Sequence, residues 1–161
     1  MTIKVGDKLP SVTLRQVTSE GPKEITTDDF FRGKKVALFA VPGAFTPACS
    51  QRHLPGYVDK ASDIKGKGVD EVACVAVNDP AVMTAWGKDQ RTEGKVTMLA
   101  DGSGDFVRAL GLELDLTKAG LGMRSKRYSM LVDNGVVKSL NIEEQPGQVD
   151  ISSAEAMLRA L

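Results

Sequence analysis

Val36-Ala37-Leu38-Phe39-Ala40-Val41 is an unbroken apolar run that begins directly after the charged turn Arg32-Gly33-Lys34-Lys35. A strand with one solvated face would alternate apolar and polar residues. A continuous run instead belongs in the middle of a sheet that helices cover on both sides. Val72-Ala73-Cys74-Val75-Ala76-Val77 repeats the pattern. Between the two, Pro47 to about Gly66 fits a helix and its exit, ended by the Gly/Lys cluster Lys65–Gly68. Strand, helix and strand in this order form a βαβ unit, so the two runs are expected to be parallel neighbours joined by a right-handed crossover.

Downstream, Asn78-Asp79-Pro80 opens another helix, with Asp79 as N-cap and Pro80 at the first helical position. Val82, Ala85 and Trp86 give that helix its apolar spacing, and Trp86 reads most simply as core. Val96–Leu99 is a short strand; Phe106, Val107 and Leu110 mark a short helix stopped by Gly111. Tyr128–Asp133 and Val136–Ile142 flank Asn134-Gly135, a strong hairpin signal. Ser152-Ser153-Ala154-Glu155 is a capping box that opens a last helix through Leu161. Near the start, Val12–Leu14 and Glu24–Thr26 suggest a small hairpin. The expected fold is one α/β domain over residues 1–161, a central mixed sheet flanked by helices.

Composition narrows the function classes. A chain of 161 residues suits one domain with a sizeable core. Lys+Arg and Asp+Glu both number 21, so there is no net charge to attract a polyanion, and no nucleic-acid partner is expected. No apolar stretch approaches the roughly 18 residues a membrane helix needs. The opening Met1-Thr2-Ile3-Lys4-Val5-Gly6-Asp7 lacks the pattern of a signal or transit peptide, so a soluble, cytoplasmic protein is expected. The two cysteines lie far apart, and no CxxC or Cys/His cluster has zinc-ligand spacing. No zinc site is expected, and any reactivity belongs to single thiols.

The segment with chemical promise is Pro42-Gly43-Ala44-Phe45-Thr46-Pro47-Ala48-Cys49, which joins the first buried strand to the first long helix. Thr46 suits the N-cap and Pro47 the first helical position, which places Cys49 within the first turn. Free N–H groups and the positive end of the helix dipole converge there, and a thiolate gains from that field more than a thiol does. The Thr46 hydroxyl has the donor and acceptors to cap the Cys49 N–H while donating to the sulfur. Cys74, in the middle of an apolar strand, reads as a passive core residue.

Other candidates stay open on residue type alone. His53, the only histidine, is at i+4 from Cys49 and therefore on the same helix face, which invites a Cys–His pair. A hydrolase or acyl transferase would have to use that pair, and it would lack an obvious partner to orient the base. A lone helical histidine is more often a packing residue. Arg124, Lys126 and Arg127 form a basic cluster before the hairpin. One of them could turn inward to a buried thiolate, and residue type does not choose which.

Pro42-x-x-x-Thr46-x-x-Cys49 matches the PxxxTxxC motif of the peroxiredoxins. The string from Val41 through His53-Leu54-Pro55-Gly56-Tyr57 resembles their type II, Prx5-like branch. So do Val77-Asn78-Asp79-Pro80, Trp86-Gly87, Leu99-Ala100-Asp101-Gly102 and Arg124-Ser125-Lys126-Arg127-Tyr128-Ser129. The resemblance spans nearly the whole chain. It implies a thioredoxin-like fold and reduction of hydrogen peroxide and organic hydroperoxides without metal or cofactor. Carried over by position, it implies that Pro42 shields the thiolate and Thr46 hydrogen-bonds thiolate and peroxide. Cys49 is then the peroxidatic residue, and the family arginine falls on Arg127.

Some type II members carry a resolving cysteine in the late loop; here Gln148-Val149-Asp150-Ile151-Ser152 has none. The plant and bacterial members resemble the chain more closely, with a second cysteine at the position of Cys74. They imply recycling by glutathione with glutaredoxin, or alternatively by thioredoxin. A peroxide-sensing thiol that does not turn over is a further alternative. The branch also implies a homodimer through the active-site end, for which Phe45, Leu116 and Leu121 are candidates.

Overall fold

A computed structural model describes residues 2–161. In chain order its elements are β1 (Thr13–Thr18), β2 (Gly21–Thr26), α1 (Thr27–Phe31), β3 (Lys35–Val41), α2 (Leu54–Gly66), β4 (Glu71–Ala76) and α3 (Pro80–Asp89). Then follow β5 (Thr97–Ala100), α4 (Asp105–Leu110), β6 (Glu113–Leu116), β7 (Gly122–Ser125), β8 (Tyr128–Asp133), β9 (Val136–Ile142) and α5 (Ala154–Ala160). Seven strands form one sheet in the order β2-β1-β5-β4-β3-β8-β9, and β6 pairs with β7 apart from it. The two apolar runs, β3 and β4, are parallel neighbours in register from Val36 opposite Glu71 to Val41 opposite Ala76. β5 continues the parallel centre, while β1 and β8 flank it antiparallel. This is the mixed α/β sheet expected, in a thioredoxin-like arrangement.

The buried strands explain the layers. Along β3, Ala37, Phe39 and Val41 point into a cluster with Leu54, Tyr57 and Ile64 of α2, Met83 and Trp86 of α3, and Met157 of α5. Val36, Leu38 and Ala40 point the other way, into a cluster with Phe30 and Phe31 of α1 and Phe106 and Leu110 of α4. A strand buried on both faces needs apolar residues at both parities, which is why its sequence does not alternate.

Several local readings shift. The N-terminal hairpin is longer than expected, pairing Thr13 with Thr26 through Thr18 with Gly21. The last helix is capped by Ser153, whose side chain accepts from Ala156 N, one residue after the expected cap. The expected helix from Pro47 is interrupted: residues 47–48 are α-helical, Cys49–His53 is a π-turn, and regular helix resumes at Leu54. Leu54 N–H donates to the Cys49 carbonyl, five residues back. Pro55 supplies a physical reason. It has no N–H, and its ring would crowd the carbonyl four residues before it; a widened turn relieves both. At its other end this stretch follows a turn in which Phe45 takes φ +65°, a conformation rare outside glycine.

Candidate active site

The loop after β3 delivers Cys49 to the point where the sheet's parallel strands end. Its sulfur has no exposed surface. Arg127, in the residue pair that precedes β8, is also buried, and its guanidinium uses every nitrogen. Nη2 donates to Cys49 Sγ at 3.1 Å, Nη1 lies 2.9 Å from His53 Nδ1, and Nε donates to the Pro146 carbonyl at 3.0 Å. None of these partners is a carboxylate. A buried cation needs a counter-charge, and an anionic sulfur is the partner among these three that can supply it.

His53 is on the same side of the turn as Cys49, as the spacing predicts, but the two are linked through Arg127 rather than to each other. Its Nε2 lies 3.0 Å from the Ser152 carbonyl, which only accepts, so the proton is on Nε2 and Nδ1 receives the Arg127 donor. Burial first, and then the Arg127 charge, hold the imidazole far below its usual range, at about 3. Both ring nitrogens are committed, and the ring is neutral. A Cys–His hydrolytic pair is therefore not what this site contains.

Thr46 differs from expectation. Its hydroxyl donates to the Gly43 carbonyl at 2.7 Å, so its one proton does not go to the sulfur. Its lone pairs remain, and its carbonyl accepts the Ser50 N–H at 2.9 Å as the helix begins. The buried Pro42 carbonyl stands 3.5 Å from Arg124 Nη1, while Arg124 Nε donates to Leu121 O at 2.8 Å. Arg124 thus lies over the loop from the β6–β7 side, and Arg127 reaches under it to the sulfur. Trp86 is core, with its Nε1 donating to Ser50 Oγ at 3.0 Å.

Cys74 is equally buried and faces the same cluster, opposite Phe39 in the sheet. Burial pushes its thiol well up; the Cys49 charge adds to this, and Arg127 opposes it. Residues with no local sequence signal complete the site: Pro146 and Ser152 contribute carbonyls from the loop after β9, and Glu143 at its base ties that loop together. Of the three candidate apolar contacts, Phe45 is exposed, whereas Leu116 and Leu121 are half-buried; exposed Met123 sits beside them in sequence.

Among the described residues there is no His/Cys/Asp/Glu group suited to a metal, and no helix is long and apolar enough to cross a membrane. A thiol at a strand-to-helix junction of a thioredoxin-like sheet, facing a buried arginine, defines a thiol redox protein. The redoxin family matches residues 4–158. The chain is 52% identical to peroxiredoxin-2E, chloroplastic, of Arabidopsis thaliana, over 99% of this chain and 70% of that one. It is 49% identical to peroxiredoxin-2C of Oryza sativa subsp. japonica, over 99% and 98%. The solved structure of reduced Prx3 in complex with H2O2 from Vibrio vulnificus superposes with TM-score 0.93 at 51% identity, covering 99% of each chain. The chain belongs to the peroxiredoxins, in their type II branch, and is a thiol-dependent peroxidase. Peroxiredoxins use no prosthetic group; a thiol reductant closes their cycle.

Proposed function

We propose that Cys49 is the peroxidatic residue and that Pro42, Thr46 and Arg127 serve it, in a one-Cys cycle closed by glutathione and glutaredoxin. The observation that carries this reading is the 3.1 Å contact from Arg127 Nη2 to Cys49 Sγ. The thiolate attacks one peroxide oxygen; the S–O bond forms as the O–O bond breaks, and the other oxygen leaves as hydroxide or alkoxide and takes a proton. Arg127 and the first-turn N–H groups face charge as it shifts from sulfur to oxygen, and such preorganised donors usually dominate the rate. The Thr46 lone pairs can accept a proton of the peroxide. Pro42 closes one side of the sulfur to water.

The sulfenic acid then condenses with glutathione, releasing water and leaving a mixed disulfide, which a second thiol on glutaredoxin reduces. Two features support an external thiol: the late loop carries no cysteine, and Cys74 lies in a strand interior, so that a disulfide between it and Cys49 would call for local unfolding. Exposed Phe45 and Met123 beside the site favour a homodimer through this end of the sheet. Such a cycle fits a reducing, glutathione-rich compartment such as the cytoplasm.

The test is hydroperoxide consumption with either glutathione and glutaredoxin or thioredoxin and its reductase. Native protein should turn over with the former, and Cys49→Ser with neither. Turnover in Cys49→Ser would sink the assignment, and faster turnover with thioredoxin would replace the reductant.

A further inference from the structure

Glu143, the residue after β9, is buried, yet its carboxylate is unevenly used. Oε2 accepts three bonds, from Asp150 N at 2.7 Å, Ser152 N at 2.8 Å and Ser152 Oγ at 2.7 Å. Oε1 is buried with no hydrogen-bond partner among the described residues. A buried polar atom left bare is uncommon and calls for an explanation. All the donors converge on one oxygen, and they come from the loop that supplies the Ser152 carbonyl.

We propose that Glu143 is a positioning residue for the peroxidatic thiol: it fixes Ser152, Ser152 fixes the His53 tautomer, and His53 fixes Arg127 on Cys49. Each link is polarised in one direction. With the Ser152 N–H and hydroxyl both spent on Glu143, its carbonyl is held where it receives His53 Nε2 at 3.0 Å and the Tyr57 hydroxyl at 2.9 Å. The proton on Nε2 leaves Nδ1 bare for Arg127 Nη1, and that bond sets the plane of the guanidinium whose Nη2 meets the sulfur. The other imidazole tautomer would set an N–H against a guanidinium N–H and turn Arg127 away. At the backbone the chain closes on itself, because the Glu143 N–H donates to the Arg127 carbonyl at 2.9 Å. A carboxylate suits the position because ionic acceptors make shorter, stronger bonds to several donors at once. An ordinary loop latch would need none of this alignment with the sulfur.

This inference rests on Cys49 as the reacting thiol, and its test uses a probe independent of turnover. The chain has one histidine, so its ring signals in nitrogen–proton NMR belong to His53. Native protein should show a single neutral ring protonated at Nε2. Glu143→Ala should give a mixture of tautomers and slow the reaction of Cys49 with hydrogen peroxide about tenfold through misaligned groups. Glu143→Gln, whose amide oxygen still accepts, should regain the tautomer and most of the rate; Glu144→Ala, at the exposed neighbour, should match native. If Glu143→Ala does not fold, Ser152→Ala carries the question: losing the hydroxyl should speed exchange of the His53 Nε2 proton several-fold. A folded Glu143→Ala with native His53 signals and a native peroxide rate would overturn the proposal, as would unchanged proton exchange in Ser152→Ala. Failure of the underlying reading shows separately, as turnover in Cys49→Ser.

Discussion

Cys49 and Cys74 are equally hidden. Each has no exposed surface, and both belong to the apolar cluster beneath α2, α3 and α5. They differ in what stands beside the sulfur. Cys49 sits where a strand has ended and a helix has barely begun, with an arginine nitrogen at 3.1 Å. Cys74 sits in the middle of β4, where the backbone is consumed by the sheet; burial first and then the Cys49 charge push its thiol up, and Arg127 opposes them without touching the sulfur. Exposure therefore does not tell the two thiols apart. The sorting is done by a buried cation delivered from another part of the chain.

The largest expected effect comes from removing that difference. Arg127→Gln keeps a polar group but takes away the charge and the donor to the sulfur, leaving Cys49 nearer to Cys74 in its surroundings. Loss of one preorganised donor typically costs about 100- to 1,000-fold in rate. Stopped-flow oxidation by hydrogen peroxide should show a drop of that order. A drop of less than tenfold would mean that the first-turn N–H groups, not Arg127, distinguish the two cysteines.

A second difference is visible in acid. His53, beside the Cys49 half of the cluster, is buried neutral at about 3, against 6.5 for a free imidazole. Between those values the unfolded chain binds a proton that the fold refuses, so stability falls as pH drops from about 6.5 toward 3. At about 1.36 kcal/mol per pH unit the full loss is on the order of 5 kcal/mol. Urea midpoints of native protein at pH 7, 5.5 and 4.5 should decline, and His53→Gln should flatten that slope. A parallel decline in both would assign it to carboxylates.

Much of this fold was legible because it rests on local rules. The apolar runs around Phe39 and Cys74 announce buried parallel strands. Asn134 and Gly135 take φ +49° and +81°, as a tight hairpin turn requires. The Asp79 side chain caps α3 through Val82 N, as its position before Pro80 suggests. The site was legible only through its motif. Which of three basic residues turns inward, that the turn after Cys49 widens, and that His53 meets Ser152 are consequences of packing between segments far apart in the chain. The displaced cap on α5 has the same origin. Ser152 has the right residue type, but its side chain is turned to Glu143, and Ser153 is the one that accepts from the helix as its cap. The β6–β7 hairpin was missed because its half-buried residues give only a weak alternation.

The other cysteine gives the next smaller effect. Cys74→Ala removes a sulfur from a filled interior and leaves a small void, which should cost about 1 to 2 kcal/mol. Peroxide turnover at saturating reductant should stay within about twofold, an ordinary margin for a change outside the reacting groups. A much larger fall in turnover would mean that Cys74 takes part in the cycle, and the contrast between the two sulfurs would then be one of role rather than of reactivity.

The smallest effect tests how finely the Cys49 loop is set. A Cβ at Gly43 would stand 2.9 Å from Arg124 Nη1 and 3.2 Å from Thr46 Cγ2. Both contacts are too close, but they differ in give. The Arg124 group is the end of a flexible chain still anchored at Leu121 O, so it can swing aside at little cost. Thr46 is held by its own bond to the Gly43 carbonyl and moves only with the turn. Gly43→Ala should therefore cost a few tenths of a kcal/mol in stability, since the backbone itself is not strained there. A slip of the turn by a fraction of an ångström shifts Thr46 more than Cys49, whose position Arg127 also fixes. Turnover should accordingly fall about two- to threefold, with the alkylation rate of Cys49 unchanged, because positioning errors at a peroxide ligand slow the step that uses it. Equal losses in both rates would place the thiol itself under the control of this turn and weaken the claim that Arg127 sets it apart from Cys74.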